Sequence, residues 1–259
     1  MTNILNFDVI GKSNDQKVII IAHGLFGSNK NWRTNAKSLA ALGYQVVVVD
    51  MRNHGISFWD KQHSYFDLAD DLKNVIAEFG DAADVIGHSM GGKAAMTLSL
   101  LYPKCIKKLV VVDIAPVSYK HNQLDFISAM ESIDLKSINS RKEVYNQLNS
   151  KINNSDICNF LCQSVELTDT CKKKWRLNLC ALRQNMPAIL GFPTVHARFF
   201  GPSLVIRGDL SIYVADSYLP IIEDFFPNFS LTTIKNADHW LHYKNSEEFD
   251  DILTRFLNK

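Results

Sequence analysis

Asp84-Val85-Ile86-Gly87-His88-Ser89-Met90-Gly91-Gly92-Lys93-Ala94-Ala95 is the stretch on which the fold turns. A short apolar strand runs into Gly-x-Ser-x-Gly, and a helix carrying Ala94, Ala95 and Leu98 follows. A serine in that setting sits on a sharp turn that lifts its hydroxyl out of the sheet edge. Residues two places to either side come too close for side chains, which accounts for glycine at 87 and 91. The same alternation continues outward. Val18-Ile-Ile-Ile-Ala22, Val46-Val-Val-Val-Asp50 and Leu109-Val-Val-Val-Asp113 read as buried parallel strands, with shorter ones over 203–207 and 230–234. Helical patterns cover 31–42, 65–79, 91–102 and 246–257. Strands alternating with helices imply a parallel sheet covered on both faces, with right-handed crossovers placing every strand-to-helix loop at its C-terminal edge. Chemistry gathers at that edge.

One segment interrupts the pattern. From Pro116 to Pro202 the chain shows helical patterns, no convincing strand, and more Asn, Ser and Lys. The expected organisation is a core of residues 1–115 and 203–259 with a helical cap, 116–202, over the C-terminal edge. At 259 residues the chain can build one sizeable core with such an insertion. Its 46% hydrophobic and 21% charged residues fit a soluble globular protein, and a net charge of +1 argues against a nucleic-acid partner. No apolar run approaches the roughly 20 residues that span a bilayer. No export signal is visible at the start, so the expectation is a cytoplasmic protein without a membrane partner. Among the cysteines, Cys158, Cys162, Cys171 and Cys180 share one segment, but their spacing fits no zinc pattern. Packed free thiols are the simpler expectation.

Three motifs converge on the C-terminal edge. Ser89 is the candidate nucleophile. His23-Gly24-Leu25-Phe26-Gly27 follows the first strong strand, where Leu25 and Met90 are placed to offer backbone N–H groups to an oxyanion. The alternative is a plain turn in which His23 bonds nearby backbone. Asn236-Ala-Asp-His239-Trp240 follows the last strand, so His239 is the candidate general base, while His242 packs or meets solvent. A rival reading shares these residues. Gly87-x-x-x-x-Gly92-Lys93-Ala94 nearly matches a phosphate-binding loop, but Ala94 lacks the hydroxyl that would hold magnesium.

His23-Gly-Leu-Phe-Gly-Ser28, Asp50-Met-Arg-Asn-His-Gly55, Gly87-His-Ser-Met-Gly-Gly-Lys93, Asp113-Ile-Ala-Pro-Val117, Trp175-Arg-Leu-Asn-Leu179 and His239-Trp240 together resemble the α/β-hydrolase superfamily. Within it the chain most resembles the YbfF-type bacterial esterases and their mitochondrial relatives. The resemblance implies an α/β-hydrolase fold: a mostly parallel central sheet, helices on both faces and a helical cap inserted after strand 6. It also implies a serine esterase acting on small-molecule acyl esters or thioesters, with no metal and no organic cofactor.

In most of the superfamily the triad acid follows the strand before the last. Here that frame reads Gly208-Asp209-Leu210-Ser211-Ile212-Tyr213-Val214, with Ser211 where aspartate is expected. A hydroxyl cannot stabilise an imidazolium as a carboxylate does. Asp113 ends the neighbouring strand at the same edge and preserves the Ser…Asp…His order. Asp209 is the alternative. Asp50 is expected in a structural turn with Arg52, and Asp238 adds negative charge beside His239 or faces solvent.

Specificity is expected in the cap. Leu124, Phe126, Ile127 and Met130 either line an acyl pocket or pack among their own helices. The basic run Lys172-Lys-Lys-Trp-Arg176 either attracts an anionic acyl carrier or forms a solvated face. Carbon–carbon bond hydrolases, perhydrolases and ligand-binding receptors share the scaffold and stay open as rivals. Oligomeric state is not legible.

Overall fold

Ile19 and Ile21 face one apolar cluster, and Val18, Ile20 and Ala22 face another, because successive strand side chains point to opposite sides. That division into two cores runs through the whole sheet. The computed structural model describes residues 3–12, 17–120, 123–167 and 173–259. Its elements begin with β1 (Phe7–Ile10), β2 (Val18–Ala22), α1 (Arg33–Ala41), β3 (Gln45–Val49) and α2 (Tyr65–Ala77). Then come β4 (Ala83–His88), α3 (Met90–Leu101) and β5 (Ile106–Val112). The segment that follows holds α4 (Leu124–Glu131), α5 (Arg141–Ile152), α6 (Ser155–Cys162), β6 (Val165–Glu166), β7 (Lys174–Trp175), α7 (Leu179–Gln184) and α8 (Met186–Leu190). The chain closes with β8 (Ser203–Gly208), α9 (Leu219–Phe225), β9 (Phe229–Ile234), α10 (Leu241–Lys244) and α11 (Ser246–Leu257).

The main sheet has seven strands in the order β1-β3-β2-β4-β5-β8-β9, all parallel except β1. On one face Ile19, Val46, Ile86 and Val110 pack with Leu39 of α1 and Phe249 and Leu253 of α11. On the other, Ile20, Val47, Val85 and Val111 pack with Leu68 and Leu72 of α2 and Leu98 of α3. Ile127, Met130 and Val144 extend this second cluster into the 116–202 segment. Fully buried side chains of this size each contribute on the order of 1.5–3 kcal/mol.

The sequence pattern implied six strands; β1 is the addition. It is an antiparallel edge strand, pairing Phe7 with Val49, and Val9 is 44% exposed. Half-wet edge residues leave no continuous apolar run to read. The expected absence of strands within 116–202 also needs correcting. β6 and β7 form an antiparallel ribbon pairing Val165 with Trp175, and strands of two residues are too short to show a period. Residues 116–202 follow the fifth strand of this sheet and not the expected sixth, because only one strand precedes Val18–Ala22.

Candidate active site

β4 delivers Ser89 to the sheet edge with φ 53° and ψ −118°, a conformation ordinary residues avoid. A Cβ at Gly87 would lie 2.3 Å from the Gly91 carbonyl oxygen, and one at Gly91 would lie 2.3 Å from that of Ala22. The two glycines therefore let the turn close against β2. The Ser89 amide donates to the Val112 carbonyl at 3.0 Å, and its own carbonyl accepts the Lys93 amide at 3.0 Å, opening α3.

Asp113 directly follows β5, at φ 51° and with no exposed surface. Its Oδ2 accepts the His239 Nδ1–H at 2.7 Å, its Oδ1 accepts the Gly208 amide at 3.2 Å, and the Ser211 hydroxyl also donates to Oδ2. A proton on Nδ1 leaves Nε2 of His239 as the acceptor nitrogen. The imidazole stacks on Tyr213 at 4.0 Å and 27°, and the His239 carbonyl accepts Nε2–H of His88 at 2.9 Å. Asp209 is elsewhere. Its carboxylate accepts the Ala237 amide at 3.3 Å and lies 3.7 Å from Lys235 Nζ, so of the two candidate acids only Asp113 meets the imidazole.

Ser89, His239, Leu25 and Met90 all line one cavity of about 280 Å³. The loop carrying Leu25 is held from behind by buried histidines. His23 donates from Nδ1 to the Gly24 carbonyl at 2.8 Å and accepts the Met51 amide at Nε2 at 3.0 Å. His54 accepts the Phe26 amide at 3.2 Å, where Phe26 itself has φ 63°. Burial lowers the His23 pKa to about 4, and burial with His23 nearby lowers that of His54 to about 3, so both stay neutral and able to accept. His242 packs, stacked on Trp32 at 4.4 Å and 13°.

Phe126, Ile157, Phe160, Leu161, Ile189 and Leu190 bring the 116–202 segment into the cavity wall. Of the four residues weighed for an acyl pocket, Phe126 lines it, Ile127 and Met130 are buried in the core, and Leu124 is partly buried against that core. In the basic run, Lys172 lies outside the described residues, as do Cys171 and His121. Lys173 donates to the Ile138 carbonyl, while Lys174 and Arg176 pair with Glu166 at 3.7 and 3.2 Å. Asp238 lies beside His239 in the cavity lining, where its charge is felt by the imidazole, and it is partnered rather than left to solvent. It accepts the Trp240 amide at 2.8 Å and pairs with Lys244 at 2.8 Å, and Lys244 also reaches Asp156 of α6 at 2.6 Å. Arg52 pairs with Asp71 at 2.5 Å, not with Asp50, whose carboxylate accepts the Asn29 and Ile56 amides. Ser211 and Tyr213, as partners of the Asp113 carboxylate and the His239 imidazole, do not follow from the sequence motifs. The unusual frame 208–214 is the signal in the sequence that points to them.

Among the described residues no group of three or more His, Cys, Asp or Glu is placed to hold a metal ion. Cys158 and Cys162 sit buried in the apolar core. No helix among the described residues is long and apolar enough to cross a membrane.

A family model described as the alpha/beta hydrolase fold matches residues 17–138. The chain is 35% identical to the mouse (Mus musculus) sn-1-specific diacylglycerol lipase ABHD11, over 98% of this chain and 85% of that protein. It is 34% identical to esterase YbfF of Escherichia coli, over 93% of this chain and 92% of that one. A solved marine microorganism esterase superposes with TM-score 0.93 at 34% identity, covering 98% of this chain and all of that one. With the sheet order, the serine turn and these relatives in hand, the chain belongs to the α/β-hydrolase superfamily, as a carboxylic ester hydrolase of the YbfF type.

Proposed function

We propose that Ser89, His239 and Asp113 act as a catalytic triad that cleaves esters of small to medium acyl groups through an acyl-enzyme. The observation that carries this reading is the 2.7 Å contact between His239 and Asp113 beside a cavity that also holds the strained Ser89. Nε2 of His239 takes the hydroxyl proton as Ser89 Oγ attacks the acyl carbon, and the imidazolium then returns that proton to the departing alcohol or thiol. Water repeats the sequence on the acyl-enzyme and releases the acid. The amides of Leu25 and Met90 hold the oxyanion. Asp113, tied by the Gly208 amide and the Ser211 hydroxyl, keeps the imidazole in one tautomer and stabilises its charge.

Residues 116–202 serve as the cap in this proposal, and their apolar side chains receive the acyl group. A cavity of about 280 Å³ sits at the low end of the roughly 300–1,000 Å³ usual for ligand sites, which supports small to medium substrates. Thioesters share the same chemistry. The thiols present as free cysteines fit a reducing, cytoplasmic setting.

Labelling by a fluorophosphonate, followed by turnover of p-nitrophenyl esters of graded chain length, tests the reading. The expected result is labelling and turnover in the native enzyme. Ser89→Ala should abolish both, leaving kcat lower by about 10⁶-fold. Turnover retained by a clean Ser89→Ala preparation removes Ser89 from its role, and labelling without turnover favours a receptor.

A further inference from the structure

Lys93 is the residue that gave the sequence its likeness to a phosphate-binding loop, and the ester chemistry leaves it without a task. In the fold it is 1% exposed, one helical turn beyond Ser89 on α3. Its ammonium donates to three backbone carbonyls, Val117 at 2.8 Å, Leu190 at 2.9 Å and Gly191 at 2.5 Å. An ammonium has three N–H donors, so all of its hydrogen-bonding capacity goes to these oxygens. The Tyr119 ring lies 4.6 Å from Nζ and the Tyr65 ring 5.7 Å, and both give the charge an aromatic face.

The three carbonyls come from two places far apart in sequence. Val117 lies just after the chain leaves β5 and enters the inserted segment, whereas Leu190 and Gly191 lie where α8 ends and the chain turns back to the core. The last carbonyls of a helix have no partners within it and need donors from outside. Lys93 supplies two of them, and the Tyr65 hydroxyl supplies another to Ile189 at 2.6 Å. The two stems also meet directly, as the Tyr119 amide donates to the Leu190 carbonyl at 3.0 Å. Burial lowers the Lys93 pKa to about 7, while the carbonyls favour the charged form.

We propose that Lys93 is a positioning residue for substrate choice: it pins both stems of the 116–202 segment to the helix that begins at the nucleophile. In doing so it fixes the part of the cavity wall made by Tyr65, Tyr119, Ile189 and Leu190. The inference rests on the reading that Ser89 is acylated and that this cavity takes the acyl chain. A wall anchored to the nucleophile's own helix keeps a constant distance between the reacting carbonyl and the surface that meets the chain. The limit on acyl length is then set by Lys93 rather than by the packing of the outer helices.

Lys93→Met keeps an unbranched side chain only one atom shorter and removes every donor. Its expected effect is a rise of about tenfold in the kcat/KM ratio of long to short p-nitrophenyl esters, the scale of discrimination for one methylene in an apolar pocket. Fluorophosphonate labelling of Ser89 should stay within about threefold of the native rate, since the reacting groups are untouched. Backbone amides in 117–119 and 189–191 should exchange hydrogen faster than in the native enzyme, with other segments unchanged. Should Lys93→Met fail to fold, Tyr65→Phe removes the neighbouring donor at little change in volume and should move the same ratio in the same direction, by about threefold. A folded Lys93→Met enzyme with native chain-length profile and native exchange at the stems overturns the assignment, as does an unchanged profile in Tyr65→Phe. If the native enzyme neither labels nor cleaves any ester, the triad reading fails instead.

Discussion

Phe26, Asn53, Ser89, Asp113 and Asn236 hold positive φ, and each stands on a loop at the C-terminal edge, after β2, β3, β4, β5 and β9 in turn. In 116–202 the described residues include one such position, Asn153, which merely ends α5. A left-handed conformation costs a non-glycine residue about 1–3 kcal/mol. The edge loops therefore carry strain that buried hydrogen bonds must offset, and the inserted segment carries little. The contrast separates two kinds of design. The loops hold a few polar groups in strained conformations, and the 116–202 segment contributes apolar side chains to the cavity wall from helices in ordinary conformations. Changes at the edge should strike rate, and changes in the insertion should strike substrate preference.

The sharpest way to break this division is at the acid. Asp113→Asn should lower kcat by about 10⁴-fold, the loss expected when an imidazole is held in the wrong tautomer, while Asp209→Asn stays within about threefold. Ester turnover by the two variants decides between them, and a greater loss in Asp209→Asn would reverse the assignment.

Behind the loop that carries Leu25 the expected effects are smaller. His54→Phe removes the acceptor for the Phe26 amide and should cost about 10²-fold in kcat with KM nearly constant, whereas His54→Gln, which keeps an acceptor, recovers most of it. The same position has a pH signature. With a folded pKa of about 3 against an ordinary 6.5, His54 takes up protons more readily in the unfolded chain. The stability it contributes is complete above pH 6.5 and is lost as pH falls toward 3, amounting to about 2 kcal/mol by pH 5. Thermal melts of His54→Gln should accordingly show a shallower decline between pH 6.5 and pH 5 than the native protein.

In the insertion the change should be one of preference. Phe126→Ala should raise KM for longer esters by about tenfold and leave kcat almost untouched, as measured across a chain-length series. A matching fall in kcat would mean that the wall also aims the reacting groups.

The same contrast explains what could be read in advance. The serine turn, the histidine loop and the strand-end aspartate are short local patterns, each written by neighbours in the chain, and the five buried parallel strands announce themselves through β-branched runs. Less legible was anything decided by a distant partner. β1 is defined by its pairing with β3, and the β6–β7 ribbon by two residues on each side. The lysine after Gly-Gly carries a likeness to a phosphate-binding loop in the sequence, and only the returning stem at Leu190 and Gly191 shows what it bonds. Ser211 stands where the sequence frame leads one to expect aspartate, but its hydrogen bond to Asp113 follows only from how β8 lies against β5.

The carboxylate that meets His239 is carried by β5, which lies directly beside the strand bearing Ser89. Sliding of the outer strands β8 and β9 would leave the spacing of hydroxyl and carboxylate intact. The turn after β8, relieved of supplying a charge, exposes Leu210 and Ile212 at 67% and 73%. For anyone grafting a new loop onto this scaffold, that turn is the place to lengthen or randomise, provided the inward-facing residues at 211 and 213 are kept.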